Sequence, residues 1–493
     1  MEVINNWEFK LSAYRLALST LGFDTQTIAP KDGSKYRNER HSFLSGEYYN
    51  ILTDDTIYNR LLKLDKDSSL NKTDKRKVTL YLKNLKDTKS LSKEEYVEYN
   101  KLVLDSSDVW EVARENNDYE LFEPYLIKLI EYGKKIAKKR NNNINAYELF
   151  LDDYEEGMTI QKYDEFFNLI KERIIPLLKK VVQKNSVNKG IIKGVYDIDK
   201  QKEFNKIIMN YLGFDESWSY FTTSAHPFTS GISKNDIRIT TRYDEKDILY
   251  SLYGVIHEVG HGMYEHQNSD EINGTIFNTA ITSGIHESQS RLFENYLGRN
   301  INFWKSNYHI LQDYFPHLKS VNINEFVSSV NSCEPSFIRT EADELTYPLH
   351  ILVRYEIEKG IFDSSIKTEN LNKVWNLKMK QYLNVDVPND SLGILQDVHW
   401  ASGSFGYFPA YALGSAYAAQ IFNTMKKELN VEDILSNNKF NLINDWLREK
   451  IHKFGASLTP QELLINATGE EFNPIYYINY LEDKYSKLYN FEI

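Results

Sequence analysis

The sequence predicts a mainly α-helical fold with one small piece of β-structure. Apolar residues recur at intervals of three and four through most of the chain, which is the period of an amphipathic helix. Proline, which interrupts helices, occurs only 11 times in 493 residues. Residues 236–242 instead alternate in polarity and are β-branched, which favours a short strand or a hairpin arm.

The N-terminal half follows the helical period almost throughout. The pattern starts with Trp7, Leu11 and Tyr14, and a loop is predicted at residues 29–33, which include a proline and a glycine. Further helices are predicted over residues 109–115, 121–139 and 163–182.

Composition and charge exclude several classes of protein. The hydrophobic fraction of 41% and charged fraction of 26% are ordinary for a globular protein, and a net charge of −11 argues against nucleic acid as a partner. The apolar runs are shorter than the roughly 18 residues that cross a bilayer, and the N-terminus lacks the features of a signal peptide. We therefore expect a cytoplasmic protein with no membrane partner. The single cysteine, Cys333, excludes an intrachain disulfide.

One stretch carries a recognisable chemical motif. Residues 247–266 are predicted to form one helix that contains His257, Glu258 and His261 in the order His-Glu-x-x-His. Residues four apart share a helix face, so the two imidazoles can bind one metal ion. Glu258 then lies beside the open position of that ion, where a carboxylate can accept a proton from water. The motif therefore predicts a hydrolytic metal centre that lacks only a third ligand.

An ordinary amphipathic helix with two buried histidines is the alternative interpretation. Gly254, Gly260 and Gly262 count against it, because each interior glycine costs about 1 kcal/mol relative to alanine. Close approach of another backbone or of a substrate would explain them.

The third ligand must come from a second helix that crosses the first. Such a helix is predicted over residues 285–297, and it offers Glu287, His286 and Glu294. Glu287 and His286 cannot be separated on side-chain reach, and Glu294 would need a different crossing. Spacing alone therefore leaves the third ligand open.

The character of the chain changes near residues 195–245, where the predicted strand precedes the motif helix. A strand beside a metal helix can pair with an extended peptide by strand addition, which is the first indication of a peptide substrate. There is no internal repeat or low-complexity linker. We expect one domain over residues 1–493, with a helical part at about 1–195 and a catalytic part at about 196–493.

Six motifs occur in a characteristic order. They are His226-Pro227-Phe228, Asp236-Ile-Arg238-Ile-Thr240, His257 to His261, His286-Glu287-Ser-Gln-Ser-Arg291, Ile338-Arg339-Thr-Glu-Ala342-Asp343 and Gly393-Ile-Leu-Gln396-Asp397-Val-His399-Trp400. In these motifs the chain resembles the M32 family of metallocarboxypeptidases, from about Leu21 to near Tyr489. The resemblance implies a large helical fold like that of neurolysin and angiotensin-converting enzyme, with a deep groove and a small β-sheet beside the active-site helix.

The resemblance also implies an activity and a metal. Family members are commonly homodimers that remove single C-terminal amino acids from peptides, with broad specificity and poor activity before proline. By this resemblance zinc is bound by His257, His261 and Glu287, with cobalt or manganese as substitutes. Glu258 is then the general base for a zinc-activated water.

The tetrahedral oxyanion of peptide hydrolysis needs an electrophile besides the metal. Candidates are His226, His399, Tyr407 and Tyr411. In related helical zinc peptidases a histidine followed by a tyrosine-rich loop has this function, and His399 with Tyr407 or Tyr411 resembles that arrangement. Because the chain has 35 tyrosines, packing is the competing explanation for either tyrosine.

A carboxypeptidase must also bind a free carboxylate, which favours the two-pronged guanidinium of arginine. Arg339 is the first candidate and Arg238 the second; the alternative is that each pairs with a nearby acid, namely Asp236, Glu341 or Asp343. We expect Asp397 to orient a ligand histidine.

Two other functions are compatible with the motifs. An oligopeptidase that cuts internally or releases dipeptides would not need Arg339. A peptide-binding protein without catalysis would not need Glu258, so the intact glutamate counts against it.

Overall fold

The structure, a computed structural model, describes residues 1–184 and 187–493. It confirms a mainly helical fold with one small sheet in this part of the chain. The α-helices are α1 (Glu2–Thr27), α2 (Ser34–Leu52), α3 (Asp55–Asp65), α4 (Lys72–Lys89), α5 (Lys93–Asn116), α6 (Tyr119–Arg140), α7 (Ala146–Tyr154), α8 (Ile160–Leu169), α9 (Ile175–Lys184), α10 (Ile198–Tyr211), α11 (Ile248–His266), α12 (Ile276–Thr279), α13 (Ser283–Arg291), α14 (Ile301–Tyr314), α15 (Ile323–Val330), α16 (Tyr347–Phe362), α17 (Leu371–Leu383), α18 (Phe408–Glu428), α19 (Val431–Ser436), α20 (Asn441–Lys450), α21 (Pro460–Thr468) and α22 (Ile475–Tyr489).

The sheet has three strands, β1 (Ser219–Thr223), β2 (Thr229–Ser233) and β3 (Asp236–Thr241), in the order β1-β3-β2. The strand predicted at residues 236–242 is β3, the central strand, which pairs parallel with β1 and antiparallel with β2. Its Ile237 and Ile239 are fully buried, and both β3 and β2 pack against α11. The sheet therefore lies directly beside the motif helix, as expected.

Two predicted helices are interrupted by short π-helical segments. The helix expected over residues 163–182 is α8 and α9 joined through Ile170–Ile174, and the helix expected over residues 285–297 is α13 followed by Leu292–Gly298. A π-turn adds one residue to a helical turn and rotates the side chains that follow it. The second segment thus changes the direction of Glu294 relative to Glu287.

The apolar core consists of a large and a small cluster. The large cluster runs from Ala113 in α5 to Tyr489 in α22 and includes the apolar face of α11. The small cluster lies under α1, α3 and α4, and it also includes Ile276 of α12 and Ala456. The first helices are therefore packed on residues from the second half of the chain. Within the described residues, no helix combines the length and apolar character needed to span a bilayer.

Candidate metal centre

Three side chains from two helices form a metal-binding group. His257 and His261 lie one turn apart on α11, Glu287 lies on α13, and one ligand atom of each lies within 4.8 Å of the others. The Nε2 atoms of His257 and His261 are 3.7 and 3.5 Å from Oε2 of Glu287. Two imidazoles and one carboxylate are the donor set that catalytic zinc takes in peptidases, so these residues fit such an ion.

The close crossing of the helices depends on glycine. A Cβ atom on Gly260 of α11 would lie 2.7 Å from the carbonyl oxygen of Gln289 and 2.7 Å from Cα of Ser290, both in α13. On the other side of α13, a Cβ atom on Gly414 of α18 would lie 2.6 Å from Cγ of Glu287. The backbones on both sides of Glu287 therefore approach more closely than alanine would allow, which accounts for Gly260 in the motif helix.

The other two candidates for the third ligand lie in a surrounding layer. Glu294 Oε2 accepts a hydrogen bond from Nδ1 of His257 at 2.9 Å, so it contacts the ring nitrogen that faces away from Glu287. His286 bonds to Glu265 at 3.0 Å, and its ring stacks on that of His261 with the centroids 4.4 Å apart. The carboxylate that contacts the ligand histidine His257 is therefore Glu294, and not Asp397 as predicted.

Arginines balance the carboxylates of this layer. Arg291 donates from Nε to Glu287 at 2.6 Å and from Nη1 to Glu294 at 3.3 Å, while Arg299 donates to Glu294 at 3.3 Å. Burial raises the pKa of Glu287, but Arg291 and the histidines outweigh it and hold that pKa well below the ordinary value. Burial and Arg291 compete in the same way at Glu294, whose pKa falls to about 2. Both carboxylates are therefore ionised near neutral pH.

Glu258 has a different environment from these two carboxylates. It is 7% exposed, and Oγ1 of Thr229 in β2 donates to its Oε2 at 2.5 Å. Burial raises the pKa of Glu258, and among the described residues none of its hydrogen bonds comes from an arginine. A buried carboxylate with a raised pKa, next to a metal-binding group, suits proton transfer.

His399, Tyr407 and Tyr411 lie together at the start of α18. Nε2 of His399 is 3.3 Å from the hydroxyl of Tyr411, and the rings of Tyr407 and Tyr411 are 5.0 Å apart, edge to face. Burial is the main cause that raises the pKa of both tyrosines, and the charge of Glu287 raises it further. Burial lowers the pKa of His399 to about 4, so its ring is neutral at pH 7.

The two arginine candidates have different surroundings. Arg339 is 6% exposed and donates to Asp397 from Nε at 3.2 Å and from Nη2 at 2.9 Å, and its Nη1 donates to the hydroxyl of Tyr347 at 3.2 Å. Arg354, fully buried, also donates to Asp397. Arg238 pairs through two 2.8 Å hydrogen bonds with Asp236 in its own strand.

His226 lies apart from the clusters described above. It is exposed on the loop between β1 and β2, where its carbonyl accepts a hydrogen bond from Ser224. Among the described residues, its side chain has no hydrogen bond to Glu258 or to the metal-binding group.

Sequence reasoning missed several residues of the site, namely Thr229, Arg291, Glu294 as a partner of His257, Tyr347 and Arg354. Arg291 had a detectable signal, because position four after Glu287 lies on the same helix face, and Glu294 was already a candidate on the predicted helix. Thr229 and Arg354 had none, since their contacts depend on the packing of distant segments.

A large helical fold in which one helix supplies His-Glu-x-x-His and a second, crossing helix supplies a glutamate defines a metallopeptidase with two histidine ligands and one glutamate ligand. The model of the carboxypeptidase Taq (M32) metallopeptidase family matches residues 5–485. The chain is 40% identical to carboxypeptidase 1 of Bacillus subtilis over 484 residues, 97% of each chain. It is 32% identical to thermostable carboxypeptidase 1 of Pyrococcus furiosus over 473 residues, 95% of each chain. Its fold matches the crystal structure of the M32 carboxypeptidase of Deinococcus radiodurans with a TM-score of 0.96, at 29% identity and 99% coverage of both chains.

The chain therefore belongs to the carboxypeptidase Taq (M32) family of metallopeptidases. It is a metallocarboxypeptidase, a hydrolase that acts on peptides, and the family resemblance seen in the sequence motifs is confirmed.

Proposed function

We propose that the chain is a zinc-dependent carboxypeptidase that releases single C-terminal amino acids from peptides. The observation that carries the proposal is the group of His257, His261 and Glu287 with the buried carboxylate of Glu258 beside it. Broad specificity and poor cleavage before proline are proposed on the family resemblance.

His257, His261 and Glu287 would hold the zinc ion, with cobalt or manganese as substitutes. A bound zinc ion supplies Lewis acidity, which lowers the pKa of a water molecule and polarises a carbonyl group. Glu294 and Arg291 support this role, because they orient His257 and keep Glu287 ionised.

Glu258 is proposed as the general base. It accepts a proton from the attacking water and delivers it to the leaving amine, so it must exchange a proton near neutral pH. Thr229 holds one carboxylate oxygen by a 2.5 Å hydrogen bond. The other oxygen, Oε1, is then the one that receives the proton.

His399, Tyr407 and Tyr411 are proposed to donate hydrogen bonds to the developing oxyanion. Their mutual contacts support this assignment, as does the close packing of α18 on Glu287 at Gly414. His226 remains a weaker candidate, because its exposed loop position would require it to move toward the site.

Arg339 is proposed to bind the C-terminal carboxylate of the substrate. Its guanidinium has five N–H donors, of which three are used in the hydrogen bonds to Asp397 and Tyr347. The other two have no hydrogen-bond acceptor among the residues that the structure describes. Arg339 and Arg354 share the single carboxylate of Asp397, so this buried group has a net charge of +1 that favours an anion. Arg238 is second, because Asp236 already neutralises it.

We also propose that residues 1–493 form one peptidase domain, with a helical part at about 1–195 and a catalytic part at about 196–493, and that two chains form a homodimer. The small core cluster, which joins α1, α3 and α4 to α12, supports the single domain. The family resemblance supports the dimer, and analytical ultracentrifugation measures it directly.

A mass-spectrometric time course on a proline-free peptide of ten residues tests the proposal. The zinc-loaded protein is expected to shorten the peptide by one residue at a time from the C-terminus. Internal fragments or dipeptides would instead indicate an oligopeptidase, and an intact peptide would indicate a binding protein.

Glu258→Gln tests the general base in the same assay. The variant should retain zinc, because Glu258 is outside the ligand group, and lose on the order of 10²–10⁴-fold in kcat. Zinc content is measured by mass spectrometry. If kcat survives in a zinc-loaded variant, another group accepts the proton.

A further inference from the structure

A buried carboxylate in α16, Glu358, has no role in the reaction described so far. It is fully buried, and both of its oxygens accept hydrogen bonds. Oε1 accepts from the indole Nε1 of Trp400 at 2.7 Å. Oε2 accepts from the backbone N–H of Gly406 at 3.0 Å and from the hydroxyl of Tyr147 in α7 at 2.9 Å.

Two of these donors mark the ends of one short segment. Trp400 and Gly406 bracket the turn that leads into α18, and the residues immediately outside them are His399 and Tyr407. The carboxylate of Glu358 therefore binds the residue adjacent to each of these two proposed oxyanion donors. Within the turn, Ser404 N donates to the carbonyl of His399 at 2.8 Å, so motion of one end is transmitted to the other.

The segment also has little space in which to shift. Gly406 has a φ of +87°, and a Cβ atom there would lie 2.7 Å from the carbonyl carbon of Phe150 in α7. The turn is therefore held between α7 on one side and α16 on the other. Loss of a hydrogen bond to Glu358 would release the side of the turn that faces α16.

We infer that Glu358 is a positioning residue for catalysis: it holds both ends of the 400–406 segment and thereby directs His399 and Tyr407 toward the position of the oxyanion. The inference rests on the proposed function, in which those two residues stabilise the transition state. Burial raises the pKa of Glu358 to about 7, while the three hydrogen-bond donors around it favour the carboxylate form, which only accepts. Glutamine has the same shape, but its amide N–H₂ would face at least one of those donors.

The experiment compares kcat, KM and inhibition by a phosphinic peptide, a stable analogue of the tetrahedral transition state. Glu358→Gln is expected to lower kcat/KM on the order of 10- to 100-fold, because even a small displacement of a catalytic group from its productive position lowers the reaction rate. The loss should fall on kcat, with unchanged KM and zinc content. Affinity for the phosphinic peptide should fall by the same factor as kcat/KM, since it reports binding of the transition state.

Two further variants separate positioning from general destabilisation. Tyr147→Phe removes one of the three donors and should give a smaller loss in the same direction, which keeps the test available if Glu358→Gln does not fold. Glu356→Gln is the matched control: it lies in the same helix and accepts from a tyrosine hydroxyl, Tyr382, at 2.5 Å and from Lys378 at 2.6 Å. It should leave kcat and phosphinic-peptide affinity unchanged.

A double-mutant cycle distinguishes the two ways in which the inference can fail. In the His399→Ala/Tyr407→Phe background, Glu358→Gln should cost little further activity. If that background itself has normal kcat, the proposed oxyanion role is wrong and the inference falls with it. If the background is impaired but Glu358→Gln costs the same in both backgrounds, or lowers only the melting temperature, the oxyanion role stands and the positioning role is overturned.

Discussion

At the residue scale, three buried carboxylates of one site differ in the sign of their pKa shift. Burial raises the pKa of all three, but Arg291 reverses the effect at Glu287 and Glu294. Glu258 has Thr229 as its hydrogen-bond donor and keeps a raised pKa. The placement of one arginine on α13 therefore separates carboxylates that stay ionised from one that can exchange a proton.

The contact between Glu294 and His257 predicts an effect on metal affinity. A carboxylate on the second ring nitrogen fixes the orientation of a ligand histidine, and loss of such a partner typically costs about 10–100-fold in metal affinity. Glu294→Gln should therefore weaken zinc binding by this amount, measured by competition with a chromogenic chelator.

Glu265→Gln provides the matched control for that measurement. Glu265 bonds to His286 at 3.0 Å, nearly the same as the 2.9 Å between Glu294 and His257, but His286 is outside the metal-binding group. The zinc affinity of Glu265→Gln should therefore stay within about threefold of that of the wild type. Equal losses in both variants would mean that Glu294 has no specific effect on His257.

A second prediction concerns pH and Glu155, which caps the helix that carries Glu287. Glu155 is fully buried, accepts from Gly284 N at 2.7 Å, and burial raises its pKa to about 8. Because the folded pKa is above the ordinary value of 4.5, its contribution to stability is complete below pH 4.5 and is lost as the pH rises toward 8. Glutamine has nearly the same shape and cannot ionise.

The melting temperature of Glu155→Gln relative to the wild type should therefore rise between pH 5.5 and pH 8.5. The underlying change in free energy of unfolding is at most about 1.4 kcal/mol per pH unit for one proton. The other titrating groups are common to both proteins and cancel in the difference. A difference that is constant with pH would show that Glu155 is already ionised in the folded protein throughout this range, so that burial does not raise its pKa.

The residues of the site differ in how far the sequence could predict them. His257, Glu258 and His261 follow from one helix and its period. Glu287 could be chosen over His286 only by the family motif, because both lie one residue apart on the same predicted helix. Thr229 could not be found, since its contact with Glu258 requires β2 to lie along α11, which no local pattern specifies.

At the scale of elements, the site depends on the crossing of α11 and α13. Gly260→Ala would place a methyl group 2.7 Å from backbone atoms of α13, which cannot rotate away. Overpacking of this kind typically costs about 1–3 kcal/mol, against a gain of about 1 kcal/mol in helix propensity. We expect a lower melting temperature and weaker zinc binding, because Glu287 lies on the displaced helix.

Gly254→Ala in the same helix is the control for this substitution. Its Cβ atom would lie 3.4 Å from Oγ1 of Thr241 and 3.9 Å from Pro227, which are ordinary contacts. The variant should be as stable as the wild type or more stable, with unchanged zinc affinity. If both alanine variants behave alike, close packing at Gly260 is not what sets the position of Glu287.

Most elements could be predicted, because helices depend on local periodicity. One exception is β1, which pairs in parallel with β3 although β2 lies between them in the chain. The residues of β1 show no local pattern that predicts this pairing. The π-turn after Arg291 was missed because it changes the helix geometry by one residue without changing the apolar period enough to detect. Both features depend on tertiary packing.

At the scale of the whole molecule, Glu8 links the first helices to the second half of the chain. Its carboxylate is 5% exposed and accepts hydrogen bonds from Lys77 at 2.7 Å and Tyr81 at 2.8 Å, both in α4, and from the backbone N–H of Ile276 in α12 at 2.9 Å. The small core cluster around this contact contains side chains from both parts of the chain. Unfolding of either part would expose apolar surface of the other.

Calorimetry with and without metal tests whether the two parts unfold together. A metal that binds only the folded state stabilises it by RT ln(1 + [metal]/Kd), about 2.7 kcal/mol at a hundredfold excess over Kd. If residues 1–493 form one domain, chelation of zinc should shift a single transition to lower temperature as a unit. Glu8→Ala, which leaves the N–H of Ile276 without its acceptor at a cost of about 1–3 kcal/mol, should lower that same transition. A separate, earlier transition that chelation does not move, and that only Glu8→Ala shifts, would instead make the helices before about residue 195 an independent domain. The reason is that only the part that carries His257, His261 and Glu287 can respond directly to the metal.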